Sequence, residues 1–245
     1  MNKEISKEQL AYLEARKVTA IKIRLIQIII FVVFLCLWQF ASSKKIINPF
    51  IFSSPERIFI CFCQMVVDKT LFRHVGLTLM ETFISFFLVF ALSVGISVLL
   101  WWNKTLSSIL EPYLVVLNSL PKSALAPLLL VWFGATIQMI LITAVSVVIF
   151  GSILNIYTGF QETDPDKLML IRTLRGNKWH CLKLVVIPGS IPILFGVMKS
   201  NIGLCLVGVI IAEFMGARAG LGYLIIYSSQ VFPLAGVFEI LNVDI

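Results

Sequence analysis

Few residues in this chain could perform chemistry, and their spacing argues against catalysis. His74 and His180 are its only histidines. They lie far apart and have no clustered carboxylates beside them, so neither a metal site nor a general acid–base pair is in prospect. Cys61 and Cys63 stand two residues apart, a spacing metal ligands seldom use, while Cys36 and Cys205 fall in apolar runs and Cys181 in a basic one; the five cysteines form no disulfide framework. The stretch GARAGLG, Gly216 to Gly222, lacks the Lys-Ser/Thr ending of a phosphate loop and follows an apolar run instead of a strand, which leaves a tight turn. No catalytic residue, no metal and no cofactor is expected. The informative polar residues are cations. Lys167, Arg172, Arg175, Lys178 and Lys183 stud Phe160–Pro192, the one long interruption of the apolar sequence. A basic loop between apolar runs implies a docking surface. Glu81, Lys122, Lys199 and Glu213 are the ionisable groups inside apolar runs, where they line a path, pair with an opposite charge or snorkel to an interface.

The elements that hold these residues are set by composition. Of 245 residues, 59% are hydrophobic and 13% charged, and mean hydropathy is +0.97. Soluble domains carry about 25% charge, so the chain is an integral membrane protein. Its net charge of +7 comes from cations flanking apolar runs, as membrane orientation requires, and not from a nucleic-acid-binding face.

Residues 1–24 form a charged N-terminal segment, either an amphipathic surface helix or a solvated tail, and residues 25–245 the membrane domain. Roughly two dozen charged or polar-rich residues precede the first apolar run and no small-residue cleavage site follows it, so that run is expected to stay as a signal anchor and not to be cleaved as a signal peptide. Leu25–Ala41 is the first span. A helix starting at Ser53 or Ser54 follows on the outer side. The second span lies within His74–Trp102, with Trp101-Trp102 at the inner interface. The next hydrophobic segment carries Pro112, Pro121, Pro127 and Lys122; freed backbone carbonyls and a lysine are costly in hydrocarbon, so it should be broken and face protein or water. Pro121, Lys122 and Pro127 are therefore candidates for a translocation pathway. Ile137–Tyr157 is the fourth span and Ile193–Met215 the fifth, with Glu213 placed to face a cavity. With the N-terminus inside, twelve lysines and arginines fall on the inner side and six on the outer, which puts the N-terminus and the basic loop in the cytoplasm.

Within the loop, Asp164-Pro165-Asp166 reads as a helix start: a cap, a first-turn proline and a first-turn acid. A second short helix is expected from about Asn177 to Ile187, with Gly176 supplying a positive φ between the two. Pro188 and Pro192 are expected to close the unit.

At this loop the sequence resembles the permease subunit of ATP-binding-cassette importers of the nitrate/sulfonate/taurine type. The resemblance is carried by TDPD from Thr163, RTL from Arg172, KW from Lys178 and VVIPGSIP from Val185, and by PKSALAPLLLVWFG (Pro121–Gly134) and AEFMGARAGLGYLI (Ala212–Ile225). It implies an all-α, type I importer permease bundle, here with five full spans and an incomplete sixth. It also implies a permease dimer, taken as a homodimer, in a bacterial plasma membrane, a cytoplasmic ATPase that binds ATP and magnesium, and an extracytoplasmic solute-binding protein. The stretch 160–192 would be the coupling loop, with Asp164, Pro165, Arg172, Arg175, Gly176, Lys178, Trp179 and Pro188 engaging the ATPase. The solute would be a sulfonate, a nitrate-like anion or a vitamin precursor.

Two departures accompany the resemblance. Counted back without gaps from Ile187-Pro188, the family's EAA triplet falls on Met169, Leu170 and Ile171, and its glycine on Arg175, with Gly176 one place late. The apolar stretch Val231–Leu241 would rise about 16 Å as a helix, half of a ~30 Å hydrocarbon core, which gives the expectation of a truncated last helix. The competing function class is a secondary carrier or a channel-like protein. A carrier generally needs matched, interrupted internal repeats, and no such pair is found.

Overall fold

A computed structural model describes residues 7–44, 46–47, 53–121 and 124–228. Every regular element among them is helical: α1 (Lys7–Ser43), α2 (Pro55–Val67), α3 (Thr70–Trp102), α4 (Lys104–Ser119), α5 (Leu125–Phe133), α6 (Ile137–Gln161), α7 (Pro165–Thr173), α8 (Lys178–Cys181), a π-turn (Leu182–Val186), α9 (Ile187–Gly216), and α10 over residues 221–228. Four stretches are long and apolar enough to cross a membrane: Ile21–Ser43, Thr70–Trp102, Ile137–Gln161 and Lys178–Gly216. The stretch expected as a sixth span lies outside the described residues.

Two compact units divide the chain, one up to Asp68 and one over Lys69–Val231. In the first, α1 continues without a break from the charged N-terminal segment into the apolar span. Ser54 caps α2 as expected, its side chain accepting from the Arg57 N–H with Pro55 at the first turn. Gln39 of α1 donates to Glu56 of α2 at 3.0 Å.

In the second unit α6 is the central helix, packed between α3 and α9. Its buried positions follow the helical period from Met139 through Ile140, Ala144, Val147, Val148, Ile153 and Ile156 to Phe160. One end of the core joins these residues to Leu129 of α5 and to Val209 and Ala212 of α9. The middle joins them to Phe86 and Val89 of α3 and Cys205 of α9. The far end joins them to the π-turn residues Leu182 and Val186. Small residues set the spacing: a Cβ on Gly208 would lie 2.9 Å from the Ala144 Cα, so α9 meets the α6 backbone directly. Buried polar side chains pair across the same seams. Asn201 donates to Ser152 at 2.8 Å, Ser97 to the Ile153 carbonyl at 3.1 Å and Ser190 to the Gly159 carbonyl at 3.2 Å.

The proline-bearing segment is broken, as its composition demands. α4 ends at Ser119, Leu120 turns extended, and α5 begins at Leu125. Pro112 is accommodated inside α4, and Pro127 sits in the first turn of α5, where a missing N–H has no partner to lose.

The prolines after the basic loop behave differently from expectation. Pro188 and Pro192 do not close the unit; both lie inside α9. The helix enters them through the wider π-turn, in which the Ile187 N–H reaches the Leu182 carbonyl five residues back. A loosened turn just before Pro188 makes room for a ring that an α-turn would crowd, so the second loop helix and the last long span are one continuous helical run.

Candidate functional site

The basic loop folds as α7, a tight turn and α8, closed at every end by local hydrogen bonds. Asp164 caps α7, its Oδ1 accepting from the Asp166 N–H at 2.9 Å, with Pro165 in the first turn. At the other end the Gly176 N–H reaches the Ile171 carbonyl and the Arg175 N–H the Arg172 carbonyl, both at 2.9 Å. This paired pattern is a Schellman motif, and its left-handed position is Arg175, with φ 58°. The expectation that Gly176 carries the positive φ is therefore corrected: the helix ends one residue earlier than that reading assumed. Gly176 is needed for another reason, since a Cβ there would lie 2.5 Å from Ile171 Cγ2 and 2.7 Å from the Ile171 carbonyl oxygen. Asn177 then caps α8. Its Oδ1 accepts from the His180 N–H at 3.0 Å while His180 Nδ1 accepts from the Asn177 N–H at 3.3 Å. His180 is thus part of a capping box.

Asp164, Pro165, Arg172, Arg175, Gly176, Lys178 and Trp179 all sit on this one compact loop, and all but the half-buried Gly176 are exposed. Pro188 belongs to α9, but it lines a cavity of about 640 Å³ together with Asp164 and Lys167, which ties it to the loop. Sequence reasoning missed the apolar residues of the loop. Met169 is 68% exposed, Leu170 59% and Leu174 70%. A residue-by-residue reading for charge passes over them; their signal is an apolar cluster on a helix too short to span anything. Loop and bundle are joined through Trp102, whose ring lies 6.5 Å from that of Trp179 and whose carbonyl accepts from Lys178 Nζ at 3.4 Å.

The other end of α3 carries a second polar arrangement. Thr78 Oγ1 donates to Glu213 Oε1 at 2.6 Å, and the Gly222 N–H donates to Glu213 Oε2 at 2.7 Å. Thr78 Oγ1 also accepts from the Leu221 N–H at 2.9 Å, and His74 Nδ1 from the Gly220 N–H at 2.8 Å. Three successive N–H groups at the start of α10 are thereby capped by side chains of α3 and α9, an N-terminal anchor to which a carboxylate is suited. Glu213 is fully buried with both oxygens occupied, whereas the sequence suggested a cavity-facing group. Glu81 is buried beside it, its carboxyl against that of Glu213 and its Oε2 unpartnered. The signal that could have revealed this clamp is the polar series Thr78, Glu81, Thr82, Ser85 at helical spacing in an otherwise apolar span.

Thr78 and Trp102 are separated by 24 residues of one helix, about 36 Å, so the clamp and the basic loop occupy opposite ends of the bundle. The structure does not bring Glu213 into the loop. Pro121 and Pro127 lie exposed at and after the α4–α5 break, and Lys122 lies outside the described residues. Among the described residues no group of His, Cys, Asp and Glu could hold a metal ion.

A family model described as the binding-protein-dependent transport system inner membrane component matches residues 69–238. The chain is 27% identical over 209 residues to the putative aliphatic sulfonates transport permease protein SsuC of Bacillus subtilis (strain 168), covering 84% of this chain and 75% of the relative. It is 26% identical over 208 residues to the formylaminopyrimidine transport permease protein ThiX of Halalkalibacterium halodurans, covering 85% and 82%. Among solved structures, a chain of the MetNI methionine ABC transporter in inward-facing conformations superposes with a TM-score of 0.59 at 16% identity, covering 72% of this chain and 91% of that one.

Proposed function

The chain belongs to the family of binding-protein-dependent transport system inner membrane components, and from that premise we propose how it works. It is a membrane-spanning subunit of an ATP-binding-cassette importer. Its α7–α8 loop receives the movement of a separate cytoplasmic ATPase, which binds ATP with magnesium and hydrolyses it. The observation that carries this reading is the exposed apolar trio Met169, Leu170 and Leu174 on a loop held at both ends by caps and a Schellman turn. Apolar side chains raised on a rigid, polar support suit a protein socket, and rigidity lets displacement pass into α9 without being absorbed. The route into the membrane is short, because α8, the π-turn and α9 are one helical run.

The N-terminus and the loop face the cytoplasm, and two copies of the chain enclose the path. The α4–α5 break with Pro121, Lys122 and Pro127 lines it, since free backbone groups at membrane depth must meet protein or water. Glu213 contributes by anchoring the turn that precedes α10. An extracytoplasmic binding protein delivers the solute, a small sulfonate-like or other organic anion or a vitamin precursor; relatives named for sulfonates and for formylaminopyrimidine support that range.

Single cysteines introduced at Met169 and Leu174, in a chain whose five native cysteines are replaced by alanine or serine, test the reading. They are expected to crosslink to the ATPase subunit and to react with a membrane-impermeant thiol reagent only after permeabilisation. Labelling in intact cells would overturn it.

A further inference from the structure

A cavity of about 520 Å³ opens where the α3–α4 turn, the end of α6 and the α7–α8 loop meet. Its walls carry three cations, Lys104, Arg172 and Lys178, against one carboxylate, Glu111. None of the three is ion-paired; among the described residues the salt bridge is Lys167 with Asp164, outside this cavity. Lys178 gives one hydrogen bond to the Trp102 carbonyl, and the Ser107 and Ser108 hydroxyls turn back onto the Lys104 carbonyl. The cations therefore face an open space with an uncompensated positive charge. Apart from Gln161, the remaining wall is apolar and aromatic, with Trp101 and Tyr157 on it.

The location narrows what such a space would hold. It sits at the ends of apolar helices, beside the Trp101-Trp102 pair, at the level where aromatic residues and cations meet lipid headgroups. Leu99 and Ile109, each next in sequence to a residue that lines the cavity, Leu100 and Ser108, are exposed apolar side chains. A small inorganic anion would satisfy the cations but leave the apolar wall unfilled, because cavities of this size suit larger ligands. The face is also distinct from the docking face of the loop. Leu168 and Arg172, one turn apart on α7, line the cavity, whereas Met169 and Leu174 do not.

We propose that this cavity binds the phosphodiester headgroup of an anionic membrane lipid of the phosphatidylglycerol class. Lys104, Arg172 and Lys178 hold the phosphate, Glu111 and the serine oxygens accept from the headgroup hydroxyls, and the acyl chains leave over Leu99 and Ile109. The lipid would wedge the loop against the α3–α4 turn.

The test is lipid retention by the full-length protein, purified with its partner subunits in neutral detergent. Native mass spectrometry would follow titration with phosphatidylglycerol and with phosphatidylcholine of the same acyl chains. Wild type is expected to prefer phosphatidylglycerol, and Lys104→Gln and Arg172→Gln each to weaken that lipid about fivefold while leaving phosphatidylcholine unchanged. Lys104→Arg should retain it. Lys104 is exposed and lies outside the loop, so Lys104→Gln decides the matter should Arg172→Gln fail to fold. Equal retention of the two lipids, or unchanged binding in Lys104→Gln, would overturn the proposal. Complete displacement by millimolar inorganic phosphate would make it a soluble-anion site, and loss of lipid whenever the ATPase is bound would assign the cavity to protein; either result also overturns it.

Discussion

Glu213 of α9 accepts a hydrogen bond from the Thr78 hydroxyl of α3 at 2.6 Å, across 135 residues of sequence. The same hydroxyl accepts the Leu221 N–H, so one threonine joins two long helices and the start of a third element. Position 78 thus carries more of that end of the bundle than the small size of its side chain suggests.

Thr78→Val keeps the shape and removes the hydroxyl. It leaves a buried carboxylate oxygen and a backbone N–H short of a partner, at a cost of about 2 kcal/mol. Thermal unfolding in detergent should fall for Thr78→Val and recover in Thr78→Ser; equal stability of the two would mean the clamp contributes nothing.

Arg175 occupies a left-handed position at φ 58° that glycine adopts without strain. Arg175→Gly should stabilise the loop by about 1 kcal/mol and leave transport intact or faster. Loss of transport with the loop still folded would show that the guanidinium itself makes a contact the importer needs.

Gly176→Ala should do the opposite. Its Cβ would meet the Ile171 carbonyl oxygen and side chain, both parts of the Schellman turn. The helical bundle should insert and fold, while ATPase activity ceases to respond to the solute-loaded binding protein. Normal stimulation in this variant would show that the turn has slack the hydrogen bonds do not suggest.

Gly208→Val tests the central seam. A side chain directed at the Ala144 backbone must part α9 from α6, an overpacking cost of about 1–3 kcal/mol. Reduced yield of folded protein is expected, with partial recovery at lower growth temperature. Wild-type yield and melting behaviour would count against the close approach.

Capping and composition made much of this legible beforehand. Ser54 and Asp164-Pro165 start helices because a cap acts on residues two or three places away. The break after Ser119 follows from prolines in a run that would otherwise span the membrane. What was misread depends on events a few residues further off. Arg175 takes the left-handed position because α7 stops at Thr173, and the two turn bonds count from there. Pro188 stays inside a helix because the preceding turn widens by one residue, which no proline pattern announces.

The sequence by itself determined a helical membrane chain with a basic loop of two short helices, the first of them capped, since hydropathy and capping are properties of neighbouring residues. Only the tertiary structure decided that Glu213 is a buried anchor, that Met169, Leu170 and Leu174 are the raised part of the loop, and that Lys104, Arg172 and Lys178 share one cavity. The physical reason is distance along the chain. A carboxylate's role depends on whether its partners are Thr78 and Gly222 or water, and three cations share one cavity only when helices separated in sequence by the whole of α5 and α6 are packed side by side.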